Sequence, residues 1–470
     1  MTADDYTQIL KDIYGGRRWI LTADVLAGCG LFARAAKDLG ASAGLCVAGS
    51  WGTGSGVDPD FAPDPIVLGT SGQTTMEAMR NAAAAMQNLS AQQQAQIDAF
   101  DPDGTAMAIG PPFSDGLPIG GRRLYGGRPE SWRRLEDKMI IDALWQELEV
   151  PCAPFEIVQA KGQTMLAAAA RLNQGLGTVW VGDNRQGWHG GAEYLRWIRT
   201  SQDEKDAIAF FEARCDHIRV QPFMEGIPCS IHGLVLEEVT LAFRPCEMLV
   251  LRKPDQSKLH YARAATFWDP PEADRQNMRQ LARRIGDHLR QRIDYRGFFT
   301  LDGVMTAEGF RPTELNPRFG AASGLLLGGL PQLNLYFLHM AVVEREPVDW
   351  KPQILERLIL ESADNHRSGS AMAMTQRQVD QTHRVTLGRD PQTGHLCEVT
   401  QDQPWDAKLM LGPSPTGGYL GMRMNPQVVP KGPSAAPLAV ETLMWANQRW
   451  DLGLGTLEAA RDLRNQTSNT

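Results

Sequence analysis

The stretch Gly297 to Gly320, GFFTLDGVMTAEGFRPTELNPRFG, has a residue spacing that demands chemistry as well as structure. Gly297 to Val304 alternates as a strand does, so Phe298, Thr300 and Asp302 fall on one face. TAEG supplies a turn, and PTELNPR places Glu314, Asn316 and Arg318 on one face by the same period of two. A hairpin centred on Glu308 opposes Asp302 directly to Glu314. Like charges facing each other across a ladder destabilise it, and a divalent cation between the carboxylates is the simplest relief. The Asn316 carbonyl oxygen is a third hard ligand, with Arg318 close by for anionic oxygens. All-oxygen ligands that leave room for phosphates are how Mg²⁺ is usually held.

The chain has 470 residues, more than one core accommodates, so about three domains are expected. A net charge of -8 gives no basic footprint and argues against nucleic-acid binding, although a local basic cleft around a polyphosphate is compatible with it. The seven cysteines are scattered and never form CxxC, which reads as reduced thiols in a cytoplasmic protein. The N-terminus is too polar for a signal peptide, and no apolar run reaches the roughly 18 residues that span a bilayer, so no membrane is expected as a partner.

In the first hundred or so residues, the strand-like runs WILTADV, LCVAG, PIVLG and TAMAIG alternate with helical patterns, which implies a parallel α/β domain. Gly28, Gly30 and Ala33 form a GxGxxA after the first strand, but no acidic residue ends the next strand. A tight turn into a packed helix is preferred there to a dinucleotide site, and a dinucleotide-dependent oxidoreductase is the weakest of the functional readings. After a Pro- and Gly-rich boundary, Ser131 is a candidate cap for one helix running from Trp132 to Val150, with Lys138 in its first half. The Gly-rich turn at Trp188 to Gly191 suits either phosphate amides or an ordinary hairpin. Arg244, Arg252 and Arg263 are candidates for gripping a carboxylate, while His232 and His260 read as core or rim residues. Gly320 to Met340 reads as an apolar helical segment, and the chain from about Arg345 mixes strands with a final helix.

LDGVMTAEGFRPTELNPRFGA resembles the metal-binding hairpin of ATP-grasp ligases, in which an acidic residue on one strand and Glu-x-Asn on the next hold Mg²⁺. Two further segments agree in order. RVQPFMEGIPCSIHGL is similar to the hinge beside the adenine pocket, with Gln221, Phe223 and Met224 in the hinge and Glu225 at the ribose contact. ESWRRLEDKMIIDALWQELEVPCAPF is similar to the segment supplying the first ATP-binding lysine, here Lys138. One departure stands out: Trp180 and Val181 occupy the place of the second lysine, leaving Lys161 or Arg185 to reach the phosphates, or a lower nucleotide affinity.

The resemblance implies an α/β architecture. An N-terminal parallel domain (1–125) precedes an ATP-grasp fold of two α+β lobes (126–220 and 221–345), and a C-terminal α+β segment (346–470) follows. It implies ATP and Mg²⁺ as cofactors, with Asp302, Glu314 and Asn316 on the metal, Lys138, Gln221, Phe223, Met224 and Glu225 on the nucleotide, and Arg318 and Arg263 in catalysis. The implied activity is a carboxylate–amine ligase acting through an acyl phosphate, with a small carboxylic acid or amino acid and an amine acceptor as partners. A regulatory or scaffold protein that binds ATP without turnover is the alternative. If the chain self-associates, a homodimer is the commonest closed assembly.

Overall fold

A computed structural model describes residues 1 to 466 apart from Ser55, Asp115 and Gln401. The polar tail NQTSNT is expected to fray, and its last four residues, 467–470, lie outside the described ones. The chain begins α1 (Ala3–Tyr14), β1 (Arg18–Val25), α2 (Leu26–Asp38), β2 (Ala43–Ser50), β3 (Ile66–Val67), α3 (Thr75–Gln87), α4 (Ala91–Phe100) and β4 (Met107–Ile109). These strands form a parallel sheet ordered β3-β2-β1-β4, as the alternation implied. Leu21, Ala23, Cys46 and Ala48 pack with Cys29 and Ala33 of α2 on one face, while Ile20, Leu45 and Val47 pack with Ile97 of α4 on the other. Two covered faces account for strands that read as unbroken apolar runs.

Gly28 and Gly30 do not form the expected turn, because both lie inside α2, which already begins at Leu26. A Cβ on Gly28 would sit 3.1 Å from the Ala23 Cβ, so its bare backbone serves close packing of helix on strand.

The helix expected from Trp132 to Val150 is also broken. It is replaced by α5 (Glu130–Arg133), a 3-10 turn at Arg134–Glu136, and α6 (Ile141–Glu147). Ser131 lies within α5 rather than capping it, and Pro129 holds the cap position. Asp137 accepts the Met139 N–H at 2.9 Å, a local turn that competes with continuing the helix. Lys138 therefore projects from a turn.

A second, antiparallel sheet is built from β5 (Glu156–Gln159), β6 (Thr178–Gly182), β7 (Leu195–Ile198) and β8 (His217–Pro222) in the order β5-β8-β6-β7. Helices α7 (Gly162–Leu172) and α8 (Ser201–Arg214) cover one face, where Trp180, Ile218 and Val220 meet Met165, Ala168 and Phe211.

The third sheet starts with β9 (Ile227–Val235), β10 (Thr240–Ala242), β11 (Cys246–Arg252) and β12 (Leu259–Ala265). Helix α9 (Glu272–Ile293) follows, then β13 (Gly297–Thr306) and β14 (Gly309–Asn316). Met278, Ile285 and Leu289 of α9 pack on Phe299, Leu301 and Leu315. The apolar run after the hairpin is not one helix. It divides into a 3-10 turn at Ser323–Leu327 and α10 (Leu335–Val343), on either side of Gly328, Gly329 and Pro331. Next come α11 (Pro352–Asn365), β15 (Gly369–Thr375), β16 (His383–Arg389), β17 (Leu396–Glu398), β18 (Ala407–Ser414), β19 (Gly417–Met424) and α12 (Ala436–Trp450). Because β12 pairs with β15, these strands continue the same sheet, in the order β14-β13-β9-β11-β12-β15-β19-β18-β16-β17, with β10 on β9. Among the described residues no helix is long and apolar enough to cross a membrane.

Candidate active site

The hairpin turns on Ala307 and Glu308, with Thr306 paired to Gly309 and Gly303 to Pro312. Continued without interruption, that register would set Asp302 against Thr313. A bulge at this point absorbs Thr313, so Asp302 faces Glu314 and Thr300 faces Asn316. The expected opposition is therefore present, produced by the bulge rather than by a turn centred on Glu308.

Around it the polar side chains are linked. Asn316 donates from Nδ2 to Asp302 Oδ2 at 2.8 Å, and its Oδ1 accepts from Arg318 Nη2 at 2.9 Å. Lys138 Nζ lies 3.3 Å from Glu314 Oε1, so the turn after the 3-10 segment does bring this lysine to the hairpin. Arg318 Nε lies 3.3 Å from Glu136 Oε1. Glu136 also binds Arg128, and its Oε2 accepts from Trp188 Nε1 at 2.6 Å. Burial raises the Glu136 carboxyl, but Arg318 and Arg128 outweigh burial and hold it below its usual range. Asp302 goes the other way: burial, then the facing Glu314, push it up to about 7. Glu136 was missed in the sequence, where nothing sets it apart from the other charges of ESWRRLEDK.

Two carboxylates meet here, and no third His, Cys, Asp or Glu side chain among the described residues completes a larger cluster. Asp302, Glu314 and the Asn316 amide oxygen are the hard oxygens that could hold a divalent cation here, a chemistry that suits Mg²⁺ shared with phosphates. Burial, and after it the facing Glu314, raises the Asp302 carboxyl, and a cation between the two carboxylates would relieve their repulsion.

The hinge residues follow β8. Gln221 Oε1 is buried without a hydrogen-bond partner among the described residues. Phe223 stacks on Trp197 of β7 with centroids 4.0 Å apart, and Met224 is half-buried in the link to β9. Glu225, read as a ribose contact, is held by Arg252 and accepts the Arg461 N–H at 3.4 Å. Trp180 is fully buried under α7 and α8, so β6 presents no cation there. Lys161 is an exposed residue at the start of α7, and Arg185 pairs with Asp216 at 3.4 Å. The Gly-rich turn belongs to the β6–β7 hairpin and folds onto Glu136 through Trp188. His189 within it lies 3.1 Å from the carbonyls of Gly182 and Asp183, and burial, then Lys138, depress its ring to about 3.

The three candidate arginines part company. Arg244 is fully buried and committed to Asp269 and Asp364, and Arg252 is committed to Glu225, so neither is free to grip a carboxylate. Arg263 has no ion-pair partner among the described residues, and its Nη2 lies 3.2 Å from the Tyr419 hydroxyl.

No protein-family profile and no curated protein matches this chain. Among solved structures it is similar to the β,γ-ATP complex of biotin carboxylase from Campylobacter jejuni, with a TM-score of 0.54 and 12% identity over 97% of this chain and 94% of that one. It is also similar to an L-amino acid ligase from Bacillus licheniformis (TM-score 0.48, 11% identity, 95% and 99% covered). An ADP complex of purK, N5-carboxyaminoimidazole ribonucleotide synthetase, scores 0.49 at 13% identity, with 93% and 98% covered. The chain shares with that biotin carboxylase an ATP-grasp fold, an N-terminal parallel sheet followed by antiparallel sheets.

Proposed function

We propose that this chain is an ATP-dependent carboxylate–amine ligase. The observation that carries the reading is the bulge-set opposition of Asp302 and Glu314, with Lys138 on one carboxylate and Arg318 linked to the other through Asn316. Residues 126–220 and 221–345 would form the two lobes around the nucleotide. Asp302, Glu314 and Asn316 would hold Mg²⁺, which supplies neutralisation of the β- and γ-phosphate charge.

The chain's own residues then act by positioning and charge. Lys138 exchanges Glu314 for phosphate oxygens. Gln221, Phe223 and Met224 line the base, and Glu225 reaches the ribose only after releasing Arg252. The substrate carboxylate attacks the γ-phosphorus and ADP leaves. The amine then adds to the acyl phosphate, Arg318 stabilises the oxyanion, and phosphate departs as the amide forms. Glu136 fixes the Arg318 guanidinium, and Arg263 is the cation left for a substrate carboxylate.

A phosphate-release screen with ATP, Mg²⁺ and pairs of amino acids or small carboxylates, followed by mass detection of the condensed product, tests this. One observation favours a second reading, an ATP-binding regulator: β6 offers Trp180 and Val181, not a cation. ATP binding without ADP release from any pair supports that reading instead.

A further inference from the structure

We infer that Arg263, propped by Tyr419, is the carboxylate anchor of a substrate site at the seam between β12 and β15, and that it takes an amino acid with an apolar side chain. The inference rests on the ligase reading for its place in a reaction, but its own evidence lies in the sheet.

Arg263 has φ +90°, a left-handed conformation that is strained for any residue but glycine and persists only where surrounding structure enforces it. The β11–β12 register slips beside it, between Met248 and Val250. Arg263 pairs with Ala371, which points into the core beneath α12. A regular strand would send the arginine after it. The irregularity instead turns the guanidinium out to Tyr419, whose neighbours Leu420 and Met422 belong to that core and which therefore faces away from it. That outer face is shared with the metal hairpin: Asp302 pairs with Ser230, Ser230 with Cys246, and Val250, on the same side of β11 as Cys246, pairs with Tyr261, two residues before Arg263.

Tyr419 is itself held in place. A Cβ on Gly421 would lie 3.0 Å from both Cε1 and Oη of Tyr419, so the ring lies flat across that glycine, with its hydroxyl fixed at Arg263. Among the described residues only Tyr419 bonds the guanidinium, through Nη2, which leaves the rest of the fork for bidentate binding of a carboxylate. Beside it, Met372 pairs with Gly421 and Met374 with Tyr419, both half-buried on this face. Unbranched thioether side chains make an adaptable apolar wall. A positive fork next to a methionine wall suits an apolar amino acid bound by its carboxylate.

Arg263 contacts the substrate, and Tyr419 is a positioning residue. The test is a thermal-shift titration of the full chain with the proteinogenic L-amino acids and their amides at about 10 mM. L-Leucine or L-methionine should raise the midpoint of the wild type by about 2 °C and the amides should not. Arg263→Met should lose the shift, Arg263→Lys recover part of it, and Tyr419→Phe need several-fold more ligand. Asp302→Asn, inactive on the ligase reading, should keep the full shift, so a failed screen for turnover and a failed anchor give different results. In turnover with a productive pair, Tyr419→Phe should raise KM for one amino acid several-fold and change kcat less than twofold. A wild type stabilised by no amino acid in the panel, equal shifts with acid and amide, or an unchanged shift in Arg263→Met overturns the inference.

Discussion

Asp302 and Glu314 face each other because Thr313 is spent in a bulge, and the consequences of that meeting are electrostatic. Asp302→Asn or Glu314→Gln should cut substrate-dependent ADP formation at least about a thousandfold, several kcal/mol of barrier, with circular dichroism unchanged. Full turnover by both variants would remove the metal assignment. The Asp302 carboxyl, raised by burial and by Glu314 to about 7 from 3.8, also affects stability. A raised folded value means that the fold favours the protonated form. This contribution is complete below about pH 4 and is lost as pH rises through 7. In EDTA, the thermal midpoint of the wild type should therefore fall relative to that of Asp302→Asn between pH 5 and pH 8; parallel curves would contradict the burial of this carboxylate. Lys138→Ala should weaken ATP binding more than it slows bound ATP, seen as a rise in KM for ATP that exceeds the fall in kcat.

At the scale of elements, the end of β14 matters most, since it delivers Arg318 to Glu136. Gly320 lies two residues on, and a Cβ there would sit 2.3 Å from the buried Thr300 Oγ1 on β13. Thr300 is stiff and enclosed, so the segment has to move. Gly320→Ala should cost about 1–3 kcal/mol in urea unfolding and lower activity further by displacing Arg318. Stability and turnover both at wild-type levels would show that the segment yields freely. The broken helix at Asp137 is the counterpart on the other lobe. Its apolar spacing does favour a helix, but the Asp137 side chain captures the Met139 N–H, and the resulting turn carries Lys138 to Glu314.

Over the whole molecule, the C-terminal strands complete the large sheet. Leu249, Leu251 and Ala262 of β11 and β12 share one core with Leu409, Leu420 and α12. A chain ending at Arg345 should therefore expose both the β12 edge and this core face, and should aggregate on expression. Recovery of a soluble, cooperatively melting fragment of that length would mean that the two parts are energetically separable.

What the sequence determined by itself was local. Period-two spacing set the faces of the hairpin, alternation of strand and helix set the parallel N-terminal sheet, and the charges of Asp302 and Glu314 called for a cation. These follow from neighbours along the chain, where side-chain direction is dictated by backbone period. The tertiary structure decided which cations are free. Arg244, Arg252 and Arg263 look alike in sequence, yet partners distant along the chain neutralise the first two, Asp269 and Asp364 for Arg244 and Glu225 for Arg252. Glu136 and Tyr419 gained their places in the same way, from contacts with Arg318 and Arg263 that lie more than 150 residues away in the chain. Pairing across that separation depends on sheet order and register, which no local pattern contains.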